Sequence, residues 1–92
     1  MKYSINPDVV LVTVLDESML MEVDGEANCV KSMRSINETG VYYWKLLEKG
    51  LEIDDIIASA MRDYEITEEI ARPSLARYLE SLRDAGLLIL EN

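Results

Sequence analysis

The sequence contains no histidine, which removes the commonest general base and the commonest metal ligand of proteins. Glycine-rich phosphate loops and the H-E-x-x-H and C-x-x-C motifs are also missing. The single cysteine, Cys29, has no second thiol with which to form an internal disulfide. A lone cysteine in a strand is more often a small hydrophobe than a reactive thiol. We therefore expect a protein that is not an enzyme and that needs no metal or cofactor.

Long hydrophobic runs are absent as well. No apolar run approaches the ~20 residues that a membrane span needs. The segment Met1–Pro7 lacks the hydrophobic region and cleavage site of a signal peptide. Together with the single cysteine, this pattern predicts a cytoplasmic protein that does not act at a membrane.

Positive charge is scarce. Nine Lys and Arg residues face 18 Asp and Glu residues, so the formal net charge is −9. A domain that binds DNA or RNA needs a basic surface to displace counterions from phosphates. Because the carboxylates are spread over the whole chain, nucleic acid and anionic membranes are poor partners.

What is present suffices for one small domain. The chain has 92 residues, of which 49% are hydrophobic, and this predicts a single domain over residues 1–92 with one core. The segment Ser35–Trp44 divides the chain. Short apolar stretches broken by turns precede it, and apolar residues at three- and four-residue spacing follow it. We predict an α+β fold in which a three-stranded antiparallel sheet is followed by three helices.

Three strands are expected before the division. Val9–Leu15 is apolar on both faces and should lie centrally or be covered on both faces. Met19–Val23 follows, and Asp24-Gly25 is a strong hairpin-turn signal. The third strand, Asn28–Ile36, mixes polar and apolar residues and should be the free edge. Strict alternation places Cys29, Lys31, Met33 and Ser35 on one of its faces and Val30, Ser32, Arg34 and Ile36 on the other.

Three helices are expected after the dividing segment Ser35–Trp44. Asn37 suits the N-cap of a helix from Glu38 to about Lys49, and Gly50 suits its left-handed C-cap. A second helix should run from about Ile53 to Asp63.

The third helix should end at Gly86 and contains Pro73, which costs ~3 kcal/mol deep inside a helix. We expect Thr67–Arg72 to be a separate turn or a kinked lead-in, with the regular helix beginning near Pro73. The apolar tail Leu87–Leu90 should dock on the body of the domain.

These features together resemble the PqqD-like peptide chaperones, also called RiPP recognition elements, over about Val9 to Leu88. The matching motifs are Ile36-Asn37-Glu38-Thr39-Gly40, Trp44-Lys45-Leu46-Leu47, Gly50, Ile56-Ile57, and Leu79–Leu82 followed by Gly86-Leu87-Leu88. The order of three strands and three helices in a chain of this length matches the family as well.

The resemblance implies a winged helix-turn-helix-like fold without a catalytic role. Such domains hold the leader segment of a ribosomally made precursor peptide and present it to a modifying enzyme, such as a radical-SAM enzyme or a lasso-peptide protease. In the family the leader adds an antiparallel strand to the third strand and packs against the third helix. The resemblance thereby assigns peptide binding to Cys29, Val30, Lys31, Ser32, Met33 and Arg34. The alternative is that this strand is simply a solvated edge.

The third helix offers a second set of candidate residues. Arg72, Ala76, Leu79 and Arg83 recur at i, i+4, i+7 and i+11 and form one stripe beside the core stripe that contains Leu75. We interpret these five residues as the wall of a depression for an apolar leader residue flanked by acidic ones. The alternative is that the arginines pair locally with Glu69, Glu80 or Asp84.

Two further questions stay open. Met19, Met21 and Met33 could form an adaptable apolar surface or fill the core. Besides leader binding, the chain could be a winged-helix DNA-binding regulator, which its charge disfavours, or a module that forms a homodimer through the free strand edge.

Overall fold

The computed structural model describes residues 2–27 and 29–91. Met1, Asn28 and Asn92 lie outside the described residues, and Asn28 is where the third predicted strand was expected to begin. The chain forms five strands and three helices in the order β1 (Lys2–Ile5), β2 (Val9–Val14), β3 (Glu17–Asp24), β4 (Cys29–Ile36), α1 (Glu38–Glu48), α2 (Ile53–Tyr64), α3 (Glu68–Asp84) and β5 (Leu88–Glu91).

Strands β2, β3 and β4 form the antiparallel sheet that the sequence predicts, followed by the three predicted helices. The α+β fold is therefore confirmed. The first predicted strand, which corresponds to β2, was expected to lie centrally or to be covered on both faces. This is wrong, because β3 is central and β2 lies at an edge. In β2, Val9 is buried, whereas Val10 is 44% exposed and Val14 57% exposed. One face of β2 therefore contacts the core, and the other face is apolar without being buried.

Strand β1 was not predicted. It pairs antiparallel with β5, with Tyr3 opposite Leu90 and Ile5 opposite Leu88. The hydroxyl of Tyr3 also donates a hydrogen bond to the carbonyl of Leu51 at 2.5 Å. Since Leu87 and Leu88 are both 2% exposed, the apolar tail docks on the body as expected.

The core lies between the helices, the inner face of the sheet and the start of β5. Fourteen hydrophobic residues form it: Val9, Leu20, Tyr43, Trp44, Leu47, Ile56, Ile57, Ala60, Ala71, Leu75, Leu79, Leu82, Leu87 and Leu88. Leu20 is the one residue that the central strand contributes, and Trp44 is completely buried. All three helices contribute apolar residues to this core.

Helix α3 begins at Glu68 and continues through Pro73, so the expectation of a helix that starts near Pro73 is wrong. The carbonyl of Thr67 accepts hydrogen bonds from the amides of Ile70 at 3.1 Å and Ala71 at 2.9 Å, which closes the first turn. Ala71 is buried one turn before Leu75 on the same face. Burial of Ala71 and the hydrogen bonds to Thr67 hold this first turn in place although Pro73 cannot donate a hydrogen bond.

Helix α1 begins as the sequence predicts and is joined to α3 at its first turn. The side chain of Asn37 accepts a hydrogen bond from the amide of Gly40 at 2.8 Å. The hydroxyl of Tyr78, on α3, donates a hydrogen bond to the carbonyl of Gly40 at 2.8 Å. A Cβ atom at Gly40 would lie 3.3 Å from Asn37, Ile36 and Tyr78. Glycine therefore lets the ring of Tyr78 approach the first turn of α1 more closely than a larger residue would.

Replacing Gly40 with alanine tests this approach. Alanine favours a helix over glycine by ~0.5–1 kcal/mol, but the added methyl group must displace three neighbours. We expect Gly40→Ala to lower the free energy of unfolding in urea by about 1–2 kcal/mol. Gly25→Ala is the matched control, because a Cβ there has no neighbour within 4 Å. Equal stability of the two variants would contradict the argument.

Burial raises the pKa of the Tyr78 hydroxyl above its ordinary value of 10.0, and the nearby Arg34 guanidinium offsets only part of this rise. The folded state therefore favours the neutral phenol. Below pH 10 both folded and unfolded chains are protonated here, whereas above pH 10 the unfolded chain ionises first.

We therefore expect the free energy of unfolding to fall as the pH rises above 10, by at most about 1.4 kcal/mol per pH unit for this group. Burial also raises the pKa of Tyr3, which adds to the alkaline loss. In Tyr78→Phe the alkaline slope should be shallower, although the variant loses its hydrogen bond to Gly40. Urea titrations at several alkaline pH values measure both slopes, and identical slopes would disprove the assignment.

Candidate functional site

Strand β4 is the exposed edge of the three-stranded sheet. It pairs with β3 on one side, and no strand among residues 2–27 and 29–91 pairs with its other side. Every β4 side chain from Cys29 to Ser35 is exposed, and only Ile36 is partly buried. The free edge therefore presents backbone N–H and C=O groups to any extended chain that approaches it.

The two faces of β4 differ from the strict alternation that the sequence suggests. Val23 pairs with Val30 and Glu22 pairs with Ser32, so Lys31 is an extra residue at a β-bulge. Residues that pair directly share a face of the sheet. The assignments of Val30 to the face of Ser32 and of Cys29 to the face of Met33 are therefore wrong. Val30 lies with Met33 on the outer face, which points away from the core, and Cys29 lies with Ser32 on the inner face.

The inner face of β4 leads towards α3. Cys29 lies opposite Asp24 at the start of the strand. The ammonium group of Lys31 lies 3.7 Å from a carboxylate oxygen of Glu22. Further along the strand, the guanidinium of Arg34 donates a hydrogen bond to the hydroxyl of Ser81 on α3. This contact joins the free strand edge to the helix.

A cleft of about 470 Å³ separates β4 from α3 at this contact. Its lining residues are Arg34, Arg77, Glu80, Ser81, Asp84 and Ala85. Two guanidiniums and two carboxylates therefore line the same cleft. Such an arrangement can bind both signs of side-chain charge and is close to neutral as a whole.

The predicted stripe on α3 lies on the other side of the helix. Arg72, Leu75, Ala76, Leu79 and Arg83 line a second groove of about 470 Å³, together with Glu52, Ile53, Asp54, Ile57, Glu80 and Leu90. The structure thus brings the five stripe residues together but does not bring them into the cleft beside β4. Glu80 lines both spaces and forms the ridge between them.

The arginines of the groove pair with nearby acids. Arg72 lies 3.3 Å from Asp54 and 3.4 Å from Glu68, and Arg83 lies 3.5 Å from Asp84. Asp84 is one of the partners that the sequence suggests, whereas Asp54 comes from α2 and was not foreseen. Exposed pairs of this kind contribute little stability, so the guanidiniums can exchange partners with a ligand carboxylate.

Sequence reasoning missed the α3 residues that border β4. Arg77, Ser81 and Asp84 recur at i, i+4 and i+7, so their common face is visible in the sequence. The sequence does not show that this face, rather than the Ala76 face, lies beside the strand. The position of Tyr78 against Gly40 decides that orientation.

The part of the chain that the structure describes shows no features of a metal centre or of a membrane-spanning helix. No group of three or more His, Cys, Asp or Glu side chains could hold a metal ion there. No helix in residues 2–27 and 29–91 is long and apolar enough to cross a membrane. Cys29 is a free, exposed thiol rather than a buried hydrophobe.

A known structure resembles this fold over its full length. It is described as "TbiB1 in Complex with the TbiA(beta) Leader Peptide", and it superposes with a TM-score of 0.77 at 23% sequence identity. The match covers 100% of this chain and 99% of that chain. At this identity the likeness establishes the shared fold.

No curated protein matches the sequence. The family model described as "Coenzyme PQQ synthesis protein D (PqqD)" matches residues 17–88, from the start of β3 to the start of β5. Because this match covers well over half of the chain and includes the central strand, β4 and all three helices, the protein belongs to the PqqD family.

Proposed function

We propose that this chain binds the leader segment of a ribosomally made precursor peptide and presents it to a peptide-modifying enzyme, without a catalytic step of its own. The observation that carries the proposal is the free edge of β4, which is exposed along its length and joined to α3 by the contact of Arg34 with Ser81. Membership of the PqqD family supports it. The shared fold of TbiB1, a protein described in complex with a leader peptide, supports it further.

The leader would add an antiparallel strand to β4. Main-chain hydrogen bonds to the free edge would supply affinity whatever the leader sequence, and neighbouring side chains would supply selectivity. The proposed backbone ladder consists of Cys29, Val30, Lys31, Ser32, Met33 and Arg34. The alternative is that this edge stays unpaired and solvated, in which case no leader binding would be detected.

Selectivity would follow from the two faces of the added strand, because side chains alternate along it. Leader side chains on the inner face would enter the cleft, where Arg34 and Arg77 suit acidic groups and Glu80 and Asp84 suit basic ones. Leader side chains on the outer face would lie beside Met33, which is 60% exposed. The preferred leader is therefore charged or polar on one side and apolar on the other.

The second groove is proposed as an additional contact for a leader residue outside the added strand. Its floor includes Leu75 and Leu79, and Ala76 leaves room between Arg72 and Arg83. An apolar side chain flanked by acidic residues would fit this arrangement. The flank of the peptide would cross α3 at Glu80, which lines both spaces.

The winged-helix regulator is disfavoured by the distribution of charge on α3. Arg77 lines the cleft, whereas Arg72 and Arg83 line the groove on the other side. Both groove arginines already lie within 3.5 Å of a carboxylate. These positions do not form the continuous basic surface that binding to phosphates requires.

Backbone pairing can be tested with a fluorescently labelled leader from the precursor gene beside this chain's gene. N-methylation of one leader amide removes one donor, and only every second amide of an added strand faces β4. We expect N-methylation to weaken binding at alternate leader positions, by about 2- to 10-fold each. Fluorescence anisotropy gives the affinities, and losses without a two-residue period would contradict strand addition.

The same assay tests the side chains of the site. Met33→Asp should weaken leader binding by about tenfold or more, because it places a charge beside the apolar face of the added strand. Ile70→Asp is the matched control, since Ile70 on α3 is 58% exposed but lies outside the cleft and the groove. Leu79 is unsuitable for such a test because it is 2% exposed and a charge there would disrupt the core. Equal effects at Met33 and Ile70 would refute the site.

One alanine in α3 and one directly after it allow the cleft and the groove to be tested separately. Ala85 lines the cleft and Ala76 lines the groove, and both are exposed. We expect Ala85→Trp to fill the cleft and weaken leader binding by about tenfold, and Ala76→Trp to cause a smaller loss. Unchanged affinity in Ala76→Trp would remove the groove from the site, and unchanged affinity in Ala85→Trp would remove the cleft.

A further inference from the structure

The outer face of the three-stranded sheet, which points away from the core, is apolar. The strand register places eight hydrophobic residues on this outer sheet face: Val10, Val12, Val14, Met19, Met21, Val23, Val30 and Met33. Val10, Met21 and Met33 form one row across the three strands, and Val12 lies opposite Met19. Glu17 and Ser35 are the polar residues that the pairing places with them.

This apolar face is not part of the protein's own core. None of its eight residues belongs to the core cluster or packs against it. Four of the eight are exposed and four are half-buried: Val10, Val14, Val30 and Met33 are exposed, and Val12, Met19, Met21 and Val23 are half-buried. An antiparallel sheet that packs one face on a core normally carries polar residues on the other face. A contiguous exposed apolar surface of this kind marks a site of protein–protein contact.

The turn between β2 and β3 adds a second observation. Leu15 and Asp16 form a two-residue hairpin loop, and Leu15 has a φ angle of 57°. A positive φ at this position of a hairpin loop favours glycine, so leucine is strained here. Leu15 is nevertheless 93% exposed at the tip of the β2–β3 hairpin, at one end of the sheet. The position thus carries an apolar side chain at the expense of local stability.

Acidic residues border both ends of the face. Asp16 and Glu17 lie at the β2–β3 turn, and Asp24 and Glu26 lie at the β3–β4 turn. A complementary surface has an apolar centre with Lys and Arg residues at its border. A second copy of this chain does not fit that description, because it would bring equally acidic turns to the interface and carries a net charge of −9.

We infer that the outer sheet face and Leu15 dock the peptide-modifying enzyme, through an apolar patch on the enzyme bordered by basic residues. This inference rests on the proposed function and adds a separate surface to it. Val30 and Met33 belong both to the free edge and to the outer sheet face. A leader strand added to β4 therefore lies at the border of the docked enzyme, and its downstream segment is delivered directly to that partner.

The test uses the full chain, the labelled leader and the modifying enzyme encoded with the precursor. Leu15→Gly relieves the positive φ and removes the exposed side chain, so its thermal midpoint should stay the same or rise. Its affinity for the enzyme should fall by about tenfold, with leader affinity unchanged. Met21→Lys should also weaken enzyme binding, and Ile70→Lys should not. Higher salt should weaken enzyme binding to the wild-type chain, because the acidic border contributes.

Biolayer interferometry gives the enzyme affinities, and anisotropy gives the leader affinities in the same variants. Enzyme binding that survives both Leu15→Gly and Met21→Lys, or that falls equally in Ile70→Lys, would overturn the inference. Light scattering that shows a dimer abolished by Met21→Lys would also overturn it, since a second copy would then cover the face. Absence of leader binding with intact enzyme binding would instead refute the proposed function and leave the docking surface in place.

Discussion

The contact between Tyr78 and Gly40 is the constraint on which the rest of the structure depends. It joins the middle of α3 to the first turn of α1, because Gly40 lies three residues after the N-cap Asn37, which directly follows β4 in the chain. Because Gly40 has no side chain, the ring of Tyr78 can lie against the backbone there. This close approach holds α3 beside the start of α1, which directly follows β4 in the chain.

The same constraint separates the molecule into surfaces with different chemistry. One side of α3 faces the strand edge with mixed charges, and the other side forms a groove with α2 and β5. The sheet turns its inner face, with Leu20, to the core and its apolar outer face away from it. In a chain of 92 residues, the proposed peptide site on the strand edge and the proposed partner surface thus lie on adjoining faces.

Local patterns predicted most of the fold. Helices α1 and α2 were predicted from Asn37, from Gly50 and from apolar residues at three- and four-residue spacing. These signals suffice because helix caps and amphipathic stripes depend only on residues that are close in the sequence. The edge position of β4 was also correct. The prediction failed where contacts between residues far apart in the sequence determine the structure. Ala71 docks the first turn of α3 despite Pro73, and the bulge at Lys31 moves Val30 to the other face.

The sequence by itself determined the order of the three sheet strands and three helices, the acidic charge and the family, because each is a property of residue types and their spacing. Only the tertiary structure decided that the Arg72–Arg83 stripe lies across α3 from the strand, since the rotation of a helix depends on what packs against it. It also decided that the apolar outer residues of β2 and β3 are uncovered. The sequence pattern of an apolar residue is the same whether the residue is buried in the core of its own chain or against another protein.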